Sequence, residues 1–339
     1  MDILIIGGSG LISTAIGQQL VDAGHRLSCF NRAKTPNRIT GKVEIIPGDR
    51  HDRAAFEDVL AKRRFDVVVD MIAFSPDDVA STLRAVGGRC GQLIHCSTVC
   101  VYSGPVTQIP TTETEPFHSV GGYGRNKILC EQLLMREFSD KKLPVTIMRP
   151  SHSYGEVSGF LRPFGPGHTL VARMRAGRPI IMNDGGNSVW ASCHVEDVAR
   201  GFIGTMGNTK TIGQTYNVCG SENMTWNQYM EQIAEVVGGK YLPVHIPTEV
   251  LKQVATPWVG GTWEIFAWPS IFDSSKLKRD GGWKGQTISW KEGVRRTMQW
   301  QEAHGGFASA DAEPFEDTLI TGWKTQIAGL PRTSEPWKG

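Results

Sequence analysis

The sequence lacks the features that mark several large classes of protein. No apolar run approaches the roughly 18 residues of a membrane-spanning helix, so no membrane partner is expected. The formal net charge is only +2 over 339 residues, with Lys and Arg spread along the chain. Because nucleic-acid-binding proteins more often carry a strongly basic stripe, a nucleic-acid partner is not expected either.

The seven cysteines are scattered and include no Cys-x-x-Cys pair. This spacing predicts neither a disulfide framework nor a zinc site, and no metal is expected. The first residues, MDILIIGGSG, are typical of a buried strand entering a turn and not of a secretory signal. We therefore expect a cytoplasmic protein with reduced thiols.

What the sequence does contain is an alternation of β-branched runs and helix-like stretches through its first half. This rhythm, with its short loops and apolar strands, is typical of a doubly wound parallel α/β sheet of the Rossmann type. The predicted strands cover residues 3–6, 26–30, 43–46, 66–71, 92–96, 145–148 and 215–218. The predicted helices cover residues 11–23, 53–63, 76–86, 123–138 and 195–206.

The alternation of predicted strands and helices ends beyond residue 150, where Gly and Pro become frequent. We predict a dinucleotide-binding Rossmann domain from residues 1–152 and 191–220. Residues 153–190 and 221–339 would form a smaller, mostly C-terminal α/β domain that binds substrate. The tail, residues 304–339, has no assigned function.

A glycine-rich loop lies between the first predicted strand and the first predicted helix. Glycines at such a turn let backbone N–H groups approach a pyrophosphate, whose charge the helix N-terminus attracts. The small side chain of Ser13 occupies the position of close helix–sheet packing. The residues predicted to contact the cofactor here are Gly7, Gly8, Ser9, Gly10, Leu11 and Ile12.

The end of the second strand indicates which dinucleotide is bound. An NAD site usually has an acid there for the ribose hydroxyls, but this chain has Asn31 and Arg32, with Lys34 close by. These cations could hold a 2′-phosphate, so NADP is predicted over NAD, although Arg32 could also be a solvated loop residue. Asp49 could accept a hydrogen bond from the adenine amino group, or it could be a turn or cap residue before the helix at Asp52.

The segment YGRNK at residues 123–127 places a phenol and an ammonium one helical turn apart on the same face. A tyrosine is a poor base at neutral pH, but a nearby cation favours the phenolate and so lowers the pKa. Lys127 is therefore expected to lower the pKa of Tyr123 and to hold the nicotinamide ribose.

These segments together resemble the extended short-chain dehydrogenases/reductases, the family of NAD(P)-dependent epimerases and dehydratases. The motifs that carry the resemblance are HCSTVCVY at 95–102, YGRNK at 123–127, RPSHSYG at 149–155, HVEDVA at 194–199, QTYNV at 214–218 and FDSSK at 272–276. It implies an oxidoreductase or epimerase that moves a hydride at a carbinol or carbonyl carbon. Thr98 would anchor the reacting oxygen, Tyr123 would move its proton, and Lys127 and Pro150 would contact the cofactor.

The departures from the family pattern bear on the substrate. The Asp-Glu pair that follows the catalytic Thr in nucleotide-sugar dehydratases is replaced by Val99-Cys100, which disfavours water elimination in their manner. Trp190 stands where nucleotide-sugar enzymes often have an arginine, so a diphosphate would lose a charge-assisted partner. The expected substrate is a free sugar, glycoside, polyol or other small alcohol that contacts His152 and Trp190.

Some alternatives remain open. Either His118 or His152 could be a second proton carrier, or a loop histidine bonded to backbone. The aromatic run from Trp258 to Phe272 could stack on a sugar or pack in a core or interface. Leu319, Ile320 and Trp323 fit a short docking helix within the tail.

Two further expectations concern assembly and a rival function. The helix that carries Tyr123 resembles one that pairs in family dimers, and Leu129, Leu133 and Leu134 would form its outer face, which predicts a homodimer. The glycine motif with Ser13 is also similar to that of family members described as chloroplast stem-loop-binding proteins. The alternative function is therefore a non-catalytic dinucleotide-sensing or RNA-binding module, which would have no need of the Thr-Tyr-Lys set.

Overall fold

The computed structural model describes residues 1–254 and 256–331, and its centre is a seven-stranded sheet. The strands of this sheet are β1 (Asp2–Ile6), β2 (Arg26–Asn31), β3 (Val43–Pro47), β4 (Phe65–Asp70), β5 (Cys90–Cys96), β6 (Val145–Pro150) and β10 (Gln214–Val218). Their order is β3-β2-β1-β4-β5-β6-β10, and every neighbouring pair is parallel. This confirms the predicted doubly wound Rossmann sheet.

Helices cover both faces of the sheet because its strands are apolar on both sides. The helices of the first face are α1 (Leu11–Asp22) and α6 (Val195–Thr205), and those of the second are α2 (Arg53–Ala61), α3 (Pro76–Val86) and α4 (Gly122–Lys141). In β1, Ile3 and Ile5 pack in the first core, whereas Leu4 and Ile6 pack in the second. The alternation of a strand's side chains thus feeds two separate cores.

Local signals explain where these helices begin. Ser75 accepts a hydrogen bond from the backbone N–H of Asp78 in a capping box, with Pro76 in the first turn of α3. Asp52 caps α2 by accepting from the backbone N–H of Ala55. At Gly10, by contrast, no side chain caps α1, so the first N–H groups of that helix remain available to an anion.

A second layer lies at the carboxyl edge of the sheet. Its strands are β7 (His152–Tyr154), β9 (Val189–His194) and β11 (Asn223–Thr225) in one small sheet, and β8 (Ile180–Asn183) and β12 (Pro243–Ile246) in another. Its helices are α5 (Leu170–Arg175), α7 (Trp226–Val237), α8 (Thr248–Leu251), α9 (Val259–Gly261), α11 (Trp290–Ala303) and α12 (Phe315–Ala328). Helix α10 (Ser275–Gly281) instead packs beside α6 and β10 on the first face of the large sheet. The predicted division into two domains stays a prediction. Its boundary at residue 191 falls inside β9, and positions 255 and 332–339 lie outside the described residues.

The tail contains the docking helix expected near its end. Ile320 of α12 is buried, and Leu319 and Trp323 pack against the same apolar cluster. Glu316 forms a fully buried ion pair with Arg162, which ties α12 to the second layer. No helix in the described part of the chain is long and apolar enough to cross a membrane.

Candidate functional site

The glycine loop after β1 is shaped by its close contacts. Gly7 has a φ of +91°, and a Cβ there would lie 2.6 Å from Ile72 Cγ2. A Cβ on Gly8 would lie 2.5 Å from Cys29 Sγ. Ser13 is buried, and its hydroxyl donates a 2.7 Å hydrogen bond to the Gly7 carbonyl, so it locks the loop from within. The loop needs glycine at both positions, and it leaves its outer side to the uncapped start of α1.

The loop forms the floor of a groove along the carboxyl ends of β1, β2 and β4. One half of the groove is a hollow of about 330 Å³ whose lining includes Asn31, Arg32, Lys34 and Asp49. Arg32 and Lys34 are exposed, and among the described residues neither forms an ion pair. The groove therefore offers two cations beside the end of β2.

Two predicted groove residues are engaged in turns of the backbone. Asn31 Oδ1 accepts a 2.8 Å hydrogen bond from the Ala33 N–H, which fixes the loop that carries Arg32. Asp49 Oδ1 accepts a 3.0 Å hydrogen bond from the His51 N–H, so the turn interpretation of Asp49 holds in this structure. Its second carboxylate oxygen is not used in that turn.

The other half of the groove is a hollow of about 410 Å³ that reaches the proposed reaction centre. Its lining includes Gly10, Leu11 and Ile12 on one side and Thr98, Tyr123 and Pro150 on the other. The uncapped helix start lies between the two halves. A dinucleotide fits this arrangement, because its pyrophosphate would meet the free N–H groups while each nucleoside takes one hollow.

Tyr123 and Lys127 lie in the first two turns of α4, as the spacing predicted. Tyr123 lines the groove, while Lys127 is almost fully buried. The Lys127 ammonium donates hydrogen bonds of 2.8 Å to the Ala73 carbonyl and 2.7 Å to the Cys96 carbonyl. Since an ammonium has three donors, one remains for a ribose hydroxyl.

The pKa of Tyr123 does not follow the sequence-based expectation. Although 46% of the residue is exposed, the loss of water around its hydroxyl raises the phenol's pKa above its ordinary value, and hydrogen bonding with Thr98 offsets this only in part. The expectation that Lys127 lowers the pKa of Tyr123 is wrong for this structure. The physical reason is that two main-chain carbonyls hold the ammonium, whereas the phenol loses hydration.

A buried polar network supports the loop of Thr98, and sequence reasoning missed it. Glu131, one turn beyond Lys127 in α4, forms a buried ion pair with Arg149 and accepts a hydrogen bond from Ser97. Arg149 also donates to the hydroxyl of Tyr102. The signal was present, because Glu131 and the Arg of the RPSHSYG motif are charged residues in apolar surroundings. The network fixes the chain on both sides of Thr98.

A second cavity of about 260 Å³ lies on the other side of Thr98, within the second layer. Both residues predicted to contact substrate, His152 and Trp190, line it. Thr98 and Ser151 line this cavity and the groove alike. The remaining lining residues are Val99, Cys100, Tyr102, Ser103, Gly104, Val106, Leu161, Ala191, Ile265, Phe266, Trp268, Pro269, Ser270 and Phe272.

The aromatic run of the sequence divides between the two roles that were considered. Phe266, Trp268 and Phe272 line the cavity. Trp258 instead packs edge-on against Phe164, with ring centroids 5.8 Å apart. Core packing is therefore confirmed for Trp258, and stacking of the cavity-lining rings on a sugar stays a prediction.

The two candidate histidines are placed differently. His118 bonds to Glu115, with 3.1 Å between His118 Nε2 and Glu115 Oε1, and it lines neither the groove nor the cavity. His152 lines the cavity, and burial lowers its pKa to about 4. His152 is thus neutral at physiological pH, and a role as a charged proton carrier is disfavoured.

One cluster of ligand-type side chains lies apart from this site. Glu156, His194 and Glu196 place their ligand atoms within 4.8 Å of one another. However, His194 Nδ1 accepts a hydrogen bond from the Glu196 N–H, which leaves the proton of the neutral ring on Nε2. Glu196 is also paired with Arg296. The cluster is explained as a helix cap, and the expectation of no metal stays a prediction.

The comparison with known families decides what this arrangement belongs to. Residues 3–219 match the NAD dependent epimerase/dehydratase family. The chain belongs to this family. The prediction of an extended short-chain oxidoreductase or epimerase is confirmed at that level, and NAD-type dinucleotides are the cofactors of the family.

Individual relatives of the family are distant and diverse. The chain is 24% identical to 2′-dehydrokanamycin reductase of Streptomyces kanamyceticus, over 82% of this chain and 78% of the relative. It is 27% identical to the chloroplast stem-loop binding protein of 41 kDa b of Arabidopsis thaliana, over 70% of this chain but 63% of that protein. The crystal structure of UDP-glucose 4-epimerase from Thermotoga maritima superposes with a TM-score of 0.73 at 22% identity and covers 89% of this chain and 99% of that chain. These similarities establish the fold and leave the substrate open.

Proposed function

We propose that the protein is an NADP-linked oxidoreductase that reduces a carbonyl group on a small molecule held in the cavity. The observation that carries this proposal is the position of Thr98 and Ser151, where the groove and the cavity meet, with Tyr123 beside them. Because the pKa of Tyr123 is raised, its phenol holds a proton at neutral pH. A protonated phenol is suited to donate to a developing alkoxide, and so to reduction.

The roles follow from the contacts. Thr98 Oγ1 accepts a 3.1 Å hydrogen bond from the Cys100 N–H, so its own hydrogen can be donated to the Tyr123 oxygen or, when substrate is bound, to the substrate oxygen. A bound reduced nicotinamide would supply the hydride for the carbonyl carbon, and Tyr123 would supply the proton for the oxygen. The phenolate then regains a proton from water. Lys127 would position the ribose through its third donor.

The preference for NADP is supported by charge. Arg32 and Lys34 are exposed at the end of β2, in the hollow that would take the adenosine. A 2′-phosphate there would gain charge-assisted hydrogen bonds that the bare hydroxyl of NAD cannot make. Asn31, which replaces the usual acid, removes the repulsion that such a phosphate would meet.

The central test is the removal of one oxygen atom. Tyr123→Phe keeps the ring, so NADPH binding should persist, while turnover of a ketone substrate should fall by about 10²–10⁴-fold. Lys127→Met should lose activity and also weaken NADPH binding, because Lys127 contacts the cofactor as well. Thr98→Ala should cost less, since Tyr123 can still hold the oxygen.

Tyr241→Phe is a matched control. Tyr241 lies in the second layer, where its hydroxyl donates a 2.9 Å hydrogen bond to Asn227 Oδ1. It should keep full turnover. Full activity in Tyr123→Phe, with NADPH consumed at the wild-type rate, would overturn the assignment of the site.

We further propose a homodimer in the cytoplasm. The seven free cysteines support a reducing compartment. Leu129 is exposed on α4, but Leu134 is buried in the core and Leu133 packs partly against it, so the predicted outer face is narrower than expected. The correction arises because α4 turns Leu134 towards the sheet. Light scattering at micromolar concentration should give twice the monomer mass, and a monomer mass would contradict the dimer.

A further inference from the structure

The cavity that meets the groove at Thr98 has an unusual composition for a site next to a dinucleotide. None of its lining residues, all within the described part of the chain, is a lysine, arginine, aspartate or glutamate. Its walls are mainly apolar and aromatic, with Trp190, Phe266, Trp268 and Phe272 among them. An ionised group placed here would lose hydration without gaining a partner of opposite charge, which strongly disfavours its binding.

The size of the cavity points the same way. At about 260 Å³ it lies below the common range of roughly 300–1,000 Å³ for ligand pockets. It therefore suits a molecule of one or two rings better than a nucleotide sugar. Flat aromatic walls favour rings over flexible chains, because rings stack on them and lose little conformational freedom.

A chain of hydrogen bonds in the cavity wall links Trp190, Ser192 and His152 and bears on the protonation of the histidine ring. The indole of Trp190 donates a 3.1 Å hydrogen bond to Ser192 Oγ, and Ser192 Oγ lies 2.8 Å from His152 Nδ1. An indole N–H can only donate, so the serine oxygen accepts from it. The Ser192 hydroxyl also interacts with the Tyr229 hydroxyl; with Trp190 and Tyr229 as its donors, we assign the serine hydrogen to the 2.8 Å bond with His152 Nδ1.

This arrangement sets the tautomer of His152. Since Nδ1 accepts from Ser192, the proton of the neutral ring resides on Nε2. Burial lowers the pKa of His152 to about 4, so the ring stays neutral in the physiological range. Trp190 itself is held in place by stacking on Trp226, with ring centroids 4.7 Å apart. The chain Trp190–Ser192–His152 thus ends in a fixed, uncharged N–H donor in the cavity wall.

We propose that the cavity selects an uncharged cyclic ketone or alcohol, and that His152 Nε2–H is a specificity-determining donor to an acceptor atom on that ring. The inference rests on the proposed function for the position of the reacting carbon. The recognition itself concerns binding and can be measured without turnover.

Three matched probes test the substrate class. They are the methyl ester of 4-oxocyclohexanecarboxylic acid, the free carboxylate, and 4-propylcyclohexanone, which share one ring and differ in charge and acceptor. Calorimetry on protein saturated with NADP⁺ gives binding, and NADPH consumption gives kcat/KM. The ester should bind at least about 100-fold more tightly than the carboxylate, and UDP-glucose should not compete with it.

The variants of His152 test the donor. His152→Phe should erase the preference for the ester over the propyl ketone, which we expect to be about 5–10-fold, because a neutral hydrogen bond contributes about 1 kcal/mol. His152→Gln keeps an N–H donor and should restore part of that preference. Ser192→Ala, which frees the tautomer, should reduce it less. NADPH affinity, set by the groove, should be unchanged in all three and serves as the control for folding.

The outcomes separate the two proposals. Equal or tighter binding of the carboxylate, competition by UDP-glucose, no binding of any ketone, or an unchanged ester preference in His152→Phe would overturn the inference. Selective binding of the ester without any NADPH consumption would leave the inference in place and would instead contradict the proposed reductase function.

Discussion

The groove and the cavity meet at Thr98, yet they are built in opposite ways. The groove comes from short stretches that each follow a strand, and its main groups are backbone N–H donors and exposed cations. The cavity draws on segments as far apart as Thr98 and Phe272, and it is apolar and free of charged lining residues. A pyrophosphate needs a particular backbone path, whereas a neutral ring needs a shape. The difference shows that local sequence spacing predicts the part of a binding site built from backbone groups, but not the part built from distant side chains.

The buried polar network beside Thr98, where the groove and the cavity meet, gives the largest expected effect on stability. Glu131→Leu removes the buried carboxylate that pairs with Arg149 and accepts from Ser97. Because an uncompensated guanidinium then stays buried, the free energy of unfolding should fall by about 3–5 kcal/mol. Urea denaturation followed by far-UV circular dichroism measures it.

The double variant Glu131→Leu/Arg149→Met is the matched control for that change. It removes both charges, so it should recover much of the stability, but it should not restore turnover, because the loop of Thr98 loses its support. A loss below about 1 kcal/mol in the single variant would show that the network does not join the two regions.

The same contrast explains what the sequence could predict. The strands of the large sheet, the glycine loop and the Tyr123–Lys127 pair were found because each is a local pattern with a fixed period. The tautomer of His152 was not predictable, because Ser192 reaches it only through the pairing of β7 with β9. The pKa of Tyr123 was predicted in the wrong direction, since spacing places Lys127 on the correct face but does not reveal the carbonyls that hold it. Cavity walls such as Val106 and Leu161 carry no signal beyond being apolar.

A smaller effect is expected in the groove, on the affinity for the nucleotide. Arg32→Ala should weaken NADPH binding by roughly 10–100-fold and leave NADH binding nearly unchanged, because the charge-assisted contacts of one arginine contribute about 1.5–3 kcal/mol. Titration followed by nucleotide fluorescence measures both affinities. Arg26→Ala, a change at an exposed arginine paired with Asp2, is the control. An equal loss for the two nucleotides would remove the NADP preference.

The smallest effect is expected in the cavity, where His152 makes stability depend on pH. The folded-state pKa of His152 is about 4, whereas an unfolded histidine titrates near 6.5, so below pH 6.5 the unfolded chain binds the additional proton. Stability should therefore fall as the pH drops towards 4. From pH 7 to 5.5 this titration should lower the free energy of unfolding by about 1.2 kcal/mol. Over this range His152→Phe should therefore lose less stability than the wild-type protein by that amount, and identical losses would show that the pKa of His152 is not lowered.

The pH profile of reduction tests most directly whether Tyr123 is the proton donor. We propose that Tyr123, with a pKa raised by loss of hydration, donates a proton to a carbonyl where the groove and the cavity meet. A general acid loses activity as the pH rises through its pKa, so a raised pKa keeps the acid form through pH 9. The measurement is the single-turnover rate of NADPH oxidation, recorded from pH 6 to 9 with the cyclohexanone methyl ester. We expect a rate that stays level across this range and depends on the Tyr123 hydroxyl. A rate that falls with a midpoint near pH 7, and loses that midpoint in Tyr123→Phe, would contradict it.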